Sequence, residues 1–377
     1  MKQPFLRTWI EIDTKALLNN YRVFRRLAGQ KKLLAVVKSN AYGHNLIEAS
    51  QVFAKAGADY LGVDSMTEAL ALRRASIKKP ILVLGYTLPE YLAEASQKKI
   101  IISLSSFDQI KNLKKFALAN PRKNLGVHLK IDTGMHRQGF QLREFPTLIK
   151  ELKTLPANLK IEGVYSHLAA PAEKKFQAKT KKQIEIFTVA KNLLAEAGFA
   201  KLLSHLGATG GSLAYADLPV EMVRIGIGLY GYYPSAELAE KNKSRKNLKL
   251  KPALTWKTIV SEIKTVSKSE AVSYSFTEKL KRDSKMAILP IGYWHGYPRA
   301  LSSIGKVAIG GHRAKVIGRV CMDMIIIDIT HLPWTKVGDE VILLGGEISA
   351  EEFAGWNKTS HYEVITRINP LIKKIYK

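Results

Sequence analysis

The sequence has little cysteine and no long apolar run. Cys321 is the single cysteine in 377 residues, so no internal disulfide can form, and no second thiol or spaced histidine cluster accompanies it to bind zinc. No stretch approaches the roughly 20 apolar residues that span a bilayer, and the opening MKQPFLRTWIEID lacks the apolar core of a signal peptide. We therefore expect a cytoplasmic protein with no disulfide, no metal site and no membrane segment.

Acidic residues are also scarce relative to basic ones. The chain has 59 Lys and Arg against 32 Asp and Glu, which gives a net charge of +27. Such a surface can attract nucleic acid, but the lysines are dispersed through helix-like segments and the run 241–251, without a nucleic-acid motif or an array of aromatics. Solvated helix faces explain the charge better, and we expect no nucleic-acid partner. A basic nucleic-acid-binding protein is the weakest of the alternatives.

The sequence does contain a regular alternation of short apolar runs and longer amphipathic segments between residues 32 and 225. Its 46% hydrophobic content and its length suit a large folded domain followed by a smaller one. Eight apolar runs separated by helix-like segments predict a closed (β/α)8 barrel, because buried parallel strands are nearly continuous in apolar residues. The runs are KLLAVVK, DYLGV, PILVL, IIISL, NLGVHLKI, LKIEGVY, KLLSH and EMVRI.

After the basic stretch the pattern changes to strands without intervening helices. LTWKTIVSEIKTV, KMAILPIGY, KVAIGG, MIIIDIT and DEVILLGG are apolar runs separated by glycine and polar turns. This pattern predicts a smaller β-rich domain after the barrel. We place the barrel at residues 12–245 and the β-rich domain at 246–377, and we expect residues 1–11 to form a strand that joins the second domain.

Polar side chains follow the apolar runs of the barrel. The carboxyl ends of barrel strands meet at one mouth, which is where barrel enzymes have their active sites. Several cations at one mouth favour an anionic ligand. The candidates are Lys38, Lys130, Asp132, Arg137, His167, Thr209 and Arg224.

Eight segments in order along the chain have distinctive motifs. They are AVVKSNAYGHN at 35–45, KIDTGMHRQGF at 130–140, SHLA at 166–169, MVRIGIGLYG at 222–231, VSYS at 272–275, PIGYWHGYPR at 290–299, GRVCMDM at 318–324 and HYEVITRI at 361–368. Together they resemble the motifs of the alanine racemase family, and the most specific, AVVKSNAYGHN, is similar to the motif around the lysine that binds pyridoxal 5′-phosphate (PLP). The resemblance implies a PLP-dependent amino acid racemase that supplies D-alanine for peptidoglycan.

The resemblance implies a cofactor site. Lys38 resembles the lysine that binds PLP covalently, and Arg224 the arginine that faces the pyridine nitrogen. Because arginine stays protonated, that ring nitrogen should remain unprotonated, which disfavours side reactions. The residues implied to hold the phosphate are Tyr42, Thr209, Gly226 and Tyr362.

Two proton carriers are implied for the two faces of the substrate. Lys38 serves one face, and Tyr274 resembles the base for the L-enantiomer, with His167 hydrogen-bonded to it. An ordinary tyrosine has a pKa of about 10, so cationic neighbours must lower the pKa of Tyr274 for it to act near neutral pH. The family places this tyrosine in the active site of a partner subunit, so we expect a homodimer.

Other residues are implied to bind or admit the substrate. Arg137 resembles the arginine that reaches the PLP phenolic oxygen and the substrate carboxylate, and Lys130 the lysine that some members carbamylate. Met322 lies where the family uses a backbone N–H to hold that carboxylate. The residues implied to line the substrate's access channel are Tyr293, Arg299 and Arg319.

The chain departs from the family pattern at five positions near these sites. Ala208 and Thr209 stand where an Asn-Ser pair is common, and His136 replaces a glycine. Trp294 and His295 replace a small residue and an aspartate. These changes leave open which amino acid is preferred, so a racemase of serine or of a basic amino acid remains an alternative, followed by a PLP decarboxylase and a non-catalytic PLP-binding protein.

Overall fold

A computed structural model describes residues 6–215, 217–245 and 248–377. The predicted domain boundary at 245/246 falls at the edge of a gap between these ranges. Residues 1–5 of the predicted N-terminal strand segment also lie outside the described residues.

In the described residues, eight parallel strands close into a barrel in the order of the chain. Each strand corresponds to one of the eight apolar runs, and the predicted barrel is confirmed. The strands are β2 (Lys32–Val36), β3 (Tyr60–Val63), β4 (Ile81–Val83), β5 (Ile100–Leu104), β6 (Leu125–Lys130), β7 (Leu159–Tyr165), β8 (Leu203–His205) and β9 (Met222–Ile225), and β1 (Thr8–Ile12) precedes them.

The helices of the barrel region are amphipathic because apolar residues recur on one face. In the first helix, Leu17, Tyr21, Phe24 and Ala28 are buried at intervals of three or four residues. The helices are α1 (Thr14–Ala28), α2 (Leu46–Ala56), α3 (Met66–Arg74), α4 (Leu92–Gln97), α5 (Phe107–Ala119), α6 (Phe145–Lys153), α7 (Gln177–Glu196), α8 (Thr209–Ala214) and α9 (Ala236–Asn242).

In the same described residues, strand β1 and eight strands of the second part of the chain form a nine-stranded sheet in the order β11-β14-β17-β16-β15-β18-β10-β1-β19, and β12-β13 form a two-stranded pair. Strand β1 lies antiparallel to β10 and parallel to β19. The strands are β10 (Leu254–Ile259), β11 (Glu262–Val266), β12 (Ala271–Val272), β13 (Glu278–Lys279), β14 (Ser284–Leu289), β15 (Lys306–Ile309), β16 (His312–Ile317), β17 (Ile325–Asp328), β18 (Glu340–Leu344) and β19 (Lys374–Tyr376), with helices α10 (Ala350–Trp356) and α11 (His361–Thr366).

The chain divides into two compact units. Of the described residues, the barrel unit comprises those within 16–41 and 46–251, and the sheet unit comprises those within 1–15, 42–45 and 252–377. Within the ranges described, no helix is long and apolar enough to cross a membrane, and no group of three or more His, Cys, Asp or Glu side chains could hold a metal ion.

Candidate active site

Lys38 begins an unusual turn one residue beyond the end of strand β2. The turn Lys38–Tyr42 has positive φ at Ser39, Asn40, Ala41 and Tyr42, between 52° and 55°. The left-handed conformation costs L-residues roughly 1–2 kcal/mol each, so this turn is a strained segment that the surrounding fold must hold. The Asn40 side chain contributes by accepting a hydrogen bond from the Leu46 N–H at 2.9 Å, at the start of α2.

Arg224 is a buried cation on strand β9. Its Nη1 donates to His205 Nδ1 and to the His205 carbonyl, both at 2.9 Å, and its Nη2 donates to the Ser166 carbonyl at 2.7 Å. Burial lowers its pKa to about 10, so it remains protonated at neutral pH. Among the described ion pairs, none joins a carboxylate to Arg224. Because all these acceptors are neutral, the positive charge of the guanidinium is not cancelled. It can therefore attract an anion or a lone pair.

Two buried histidines continue the hydrogen bonds of Arg224 into the barrel. Arginine can only donate, so His205 Nδ1 accepts, and its Nε2 carries the hydrogen that is donated to His128 Nδ1 at 2.8 Å. Burial, with Arg224 next in importance, lowers the pKa of His128 to about 3 and that of His205 well below its usual value. Both rings are therefore neutral, and the charge stays on Arg224.

His167 and Lys130 lie in the same positive field. Burial and then Arg224 and Arg137 lower the pKa of His167 to about 3, so its ring is neutral. Its Nδ1 accepts a hydrogen bond from Arg224 Nη2 at 3.4 Å. Burial and then Arg137 and Arg224 lower the pKa of Lys130 to about 8, and its Nζ donates to Gln138 Oε1 at 2.7 Å. The structure thus brings these predicted mouth residues together.

Tyr165 packs against both Lys130 and Arg224. Lys130 Nζ lies 5.5 Å from its ring centroid and the Arg224 guanidinium 5.3 Å, within the range of cation–π attraction. The His205 ring stacks on it at 4.7 Å between centroids. Burial raises the pKa of Tyr165 to about 12, and its hydroxyl lies 2.6 Å from Ser103 Oγ. This phenol is a neutral platform for the two cations.

The loop that carries Arg137 is closed by Asp132. Its Oδ1 accepts hydrogen bonds from the backbone N–H groups of Gly134 and His136, both at 3.0 Å, and its Oδ2 lies 3.1 Å from His136 Nδ1. His136 has φ 54°, in the region where the family's glycine would be unstrained. Asp132 therefore holds the loop, and Arg137 is left exposed at the mouth.

Thr209 forms the centre of a group of backbone donors at the start of α8. Its Oγ1 accepts hydrogen bonds from the N–H groups of Gly226 at 3.1 Å and Gly228 at 3.4 Å. Ala208 is the residue before α8 and makes no side-chain cap. With both amides donating to its oxygen, the Thr209 hydroxyl is oriented to donate its own hydrogen to an anionic oxygen.

The remaining predicted residues lie in the sheet unit. The rings of Tyr42 and Tyr362 lie 6.3 Å apart, and burial raises the pKa of both, so both stay protonated and can donate. Ser273 Oγ donates to the Arg319 carbonyl at 2.8 Å, which joins the loop of Tyr274 to the GRVCMDM segment. The side chain of Tyr274 points largely to solvent, with Tyr274 68% exposed.

The segments of the predicted access channel meet in the same unit. The backbone N–H of Tyr293 donates to the Cys321 carbonyl at 3.0 Å, and that of Trp294 to the Met322 carbonyl at 3.1 Å. His295 is buried and accepts from the Gly292 N–H at 3.2 Å. Arg299 begins the next short turn, Arg299–Leu301.

Sequence reasoning missed His128, His205, Tyr165 and Asp64. The two histidines could have been noticed, because each is a polar residue within an apolar strand run. Asp64 directly follows the DYLGV run, where the rule used for the other mouth residues also applies. Nothing in the sequence indicates that Tyr165 packs against two cations.

Comparisons with known proteins agree over the whole chain. The sequence model of the alanine racemase N-terminal domain matches residues 12–234, and that of the C-terminal domain matches residues 253–376. An alanine racemase of Desulforamulus reducens is 37% identical over 380 residues, with 100% of each chain covered. One of Clostridium perfringens is 39% identical over 374 residues, covering 98% of this chain and 95% of the relative.

Solved structures give the same result. The alanine racemase of Clostridium difficile 630 has a TM-score of 0.92 at 33% identity, covering 100% of this chain and 97% of that one. The alanine racemase of Bacillus anthracis with bound L-Ala-P has a TM-score of 0.91 at 33% identity, covering 100% and 96%.

A closed barrel with a lysine and a buried arginine at its mouth, followed by a β-rich sheet, defines a class of two-domain barrel enzymes. Within that class, the chain belongs to the alanine racemase family, whose members use PLP.

Proposed function

We propose that this enzyme interconverts L- and D-alanine with PLP bound at the barrel mouth. The observation that carries the proposal is the buried Arg224, 3% exposed and without a carboxylate partner among the described residues, at the same mouth as Lys38. A cytoplasmic location and the supply of D-alanine to peptidoglycan stay predictions that rest on the resemblance.

The donor set fits PLP. Arg224 keeps its proton, so it can donate to the ring nitrogen but cannot take a proton from it. The Thr209 hydroxyl would donate to the phosphate beside the backbone at Gly226, and the protonated phenols of Tyr42 and Tyr362 would be two further donors. Lys38 would hold the cofactor covalently, with Arg137 near its phenolic oxygen. When bound, PLP supplies an electron-withdrawing group that makes the α-hydrogen of the amino acid acidic.

Racemisation requires a proton carrier on each face of the substrate. We assign one face to Lys38 Nζ and the other to the phenolic oxygen of Tyr274 of the partner subunit. His167 is neutral, because its pKa is lowered to about 3, and its Nδ1 accepts from Arg224, so its Nε2 carries the hydrogen and can donate to the phenolic oxygen. The arrangement moves one proton at Nζ and one at the phenol in each turnover.

Arg137 and the backbone N–H of Met322 would hold the substrate carboxylate. A guanidinium binds carboxylate through paired hydrogen bonds, and the exposed Arg137 has its donors available at the mouth. Lys130 is the candidate for carbamylation, since its pKa of about 8 leaves a sizeable fraction as free amine near neutral pH, which carbamate formation needs. We propose that the access channel is lined by Tyr293, Arg299 and Arg319.

The test is a chiral assay of the purified protein with added PLP across the common amino acids. We expect racemisation of alanine in both directions, and visible absorbance from lysine-bound cofactor. Lys38→Ala should abolish that absorbance and the activity, because Lys38 is both the covalent anchor and one proton carrier. A Lys38→Ala protein that kept both would refute the assignment, and faster turnover of serine or lysine than of alanine would refute the substrate.

A further inference from the structure

Asp64 is a carboxylate at the barrel mouth to which the proposed reaction gives no task. It directly follows β3, and its Oδ1 lies 3.3 Å from Lys38 Nζ. Both side chains keep contact with solvent, with 38% of the Lys38 side chain and 56% of the Asp64 side chain exposed. The pair is therefore formed at the surface of the mouth, where an incoming molecule meets it.

The position of Asp64 does not depend on the ion pair itself. Glu68, in the first turn of α3, accepts a hydrogen bond from the Asp64 N–H at 2.8 Å and another from the Asn40 N–H at 3.3 Å. One carboxylate thus ties together the backbones that carry Asp64 and Lys38. At Gly85 a Cβ would lie 2.4 Å from the Asp64 carbonyl oxygen, so the neighbouring loop also packs closely against this backbone.

The charge of Asp64 opposes that of its surroundings. Lys130, Arg137 and Arg224 surround the mouth with positive charge, and Asp64 presents a negative charge directly to Lys38. The ion pair with Asp64 at 3.3 Å holds Lys38 as an ammonium. An ammonium has no lone pair with which to attack an aldehyde.

Covalent attachment of PLP requires a free amine. The Lys38 ammonium must first leave Asp64 and give a proton to solvent. The amine nitrogen then adds to the aldehyde carbon, a C=N bond forms, and the aldehyde oxygen leaves as water. Each event that loosens the ion pair therefore favours attachment.

We propose that Asp64 is a positioning residue that restrains Lys38 in the cofactor-free chain and slows covalent capture of PLP. The proposal rests on the proposed function, since it takes Lys38 as the covalent lysine. It concerns attachment of the cofactor and does not require that Asp64 take part in racemisation.

The experiment measures attachment directly. Full-length protein is stripped of cofactor and mixed with PLP, or with pyridoxal, which has no phosphate. Samples are quenched with borohydride over time, and the labelled Lys38 peptide is quantified by mass spectrometry. We compare Asp64→Ala, Asp64→Asn and Asp64→Glu with the parent protein. Glu90→Gln is the matched control, because this exposed acid follows β4 at the same end of the barrel.

We expect Asp64→Ala to label about 1.5- to 5-fold faster than the parent with both aldehydes, the range for loss of an exposed ion pair. The labelling rate of Asp64→Asn should lie between those of Asp64→Ala and the parent, because the amide oxygen still accepts from Lys38 but carries no charge. Asp64→Glu and Glu90→Gln should remain near the parent rate. Thermal unfolding of each protein before the assay identifies any variant that fails to fold. If Asp64→Ala does not fold, the labelling rate of the isosteric Asp64→Asn tests the proposal.

Equal rates in Asp64→Asn, Asp64→Ala and the parent would overturn the proposal. Acceleration with PLP alone would also overturn it, because that result means that Asp64 repels the phosphate and leaves Lys38 unrestrained. Absence of label on Lys38 in the parent protein would instead refute the assignment of Lys38 as the cofactor lysine, so the two failures are distinct.

Discussion

Arg224 shows how a single side chain sets the chemistry of the mouth. It is buried among carbonyls and imidazoles, and the histidines beside it have depressed pKa values because burial and the guanidinium both disfavour a second charge. The hydrogen-bond directions follow from arginine having no acceptor. A carboxylate in its place would allow the ring nitrogen to be protonated, which is the usual arrangement when a strong electron sink is needed.

Ala208 is a second single residue that is expected to affect cofactor binding. It is the N-cap residue of α8, with extended φ and ψ and no side-chain cap, next to Thr209. Ala208→Asn should add a donor for the phosphate, and a hydrogen bond to a charged group contributes roughly 1.5–3 kcal/mol. We expect the Kd for PLP to fall by about tenfold or more, measured by titration of the stripped protein.

Asparagine is also a better N-cap than alanine, by roughly 1 kcal/mol, so stability alone does not test this idea. Ala208→Asp separates the two effects, because aspartate caps the helix but repels the phosphate. Both variants should unfold at a higher temperature than the parent without cofactor, whereas Asp should weaken PLP binding. Tighter binding by both variants would show that capping is the cause.

At the scale of elements, close packing between a turn and a helix positions two tyrosines. Gly43 has φ +85°, and a Cβ there would lie 2.2 Å from the Ile365 carbonyl oxygen in α11. Tyr42 precedes this glycine, and Tyr362 lies one turn before Ile365. The absence of a side chain at Gly43 therefore allows the two rings to lie 6.3 Å apart.

Gly43→Ala should destabilise the fold and weaken PLP binding. The left-handed backbone costs an alanine about 1–2 kcal/mol, and overlap with α11 adds about 1–3 kcal/mol. Gly198→Ala is the control, because Gly198 has φ +100° but nothing within 4 Å of its added Cβ. Denaturant unfolding should show a larger loss for Gly43→Ala, and only that variant should bind PLP less tightly. Equal losses would mean that only the backbone conformation matters.

At the scale of the whole molecule, the position of Tyr274 bears on assembly. The residue belongs to the sheet unit and is 68% exposed in a single chain, although the proposed role requires contact with a substrate. The loop that carries it includes Ser273 and Ser275 at φ 67° and 60°, so the fold holds an exposed phenol in a strained turn. We propose a symmetric pair of chains, in which each completes the other's site, because it would bring this exposed phenol to a substrate.

Mixing two inactive proteins tests this arrangement. A Lys38→Ala chain combined with a Tyr274→Phe chain should form heterodimers that have one intact site and one doubly altered site. Random pairing makes about half of the dimers mixed, so activity should return to about a quarter of the parent value per chain. Native mass spectrometry measures the exchange; exchange without recovery, or full activity in a monomer, would refute the shared site.

The sequence by itself determined the strands and the order of the mouth residues. Buried parallel strands require nearly continuous apolar residues, and each of the eight apolar runs is a barrel strand. Several of the runs are followed by a polar residue that is a candidate for the site. Strand β16 was not among the runs, because its sequence HRAKVI alternates polar and apolar residues on a half-exposed sheet.

Only the tertiary structure decided what each polar side chain contacts. His128 and His205 are 77 residues apart and meet because the barrel closes. The pairing of Asp64 with Lys38, and the four positive φ angles that follow Lys38, likewise depend on neighbouring strand ends and on Glu68. Local sequence encodes burial through its periodicity, whereas contacts across a barrel depend on the separation and register of distant strands, which no local pattern contains.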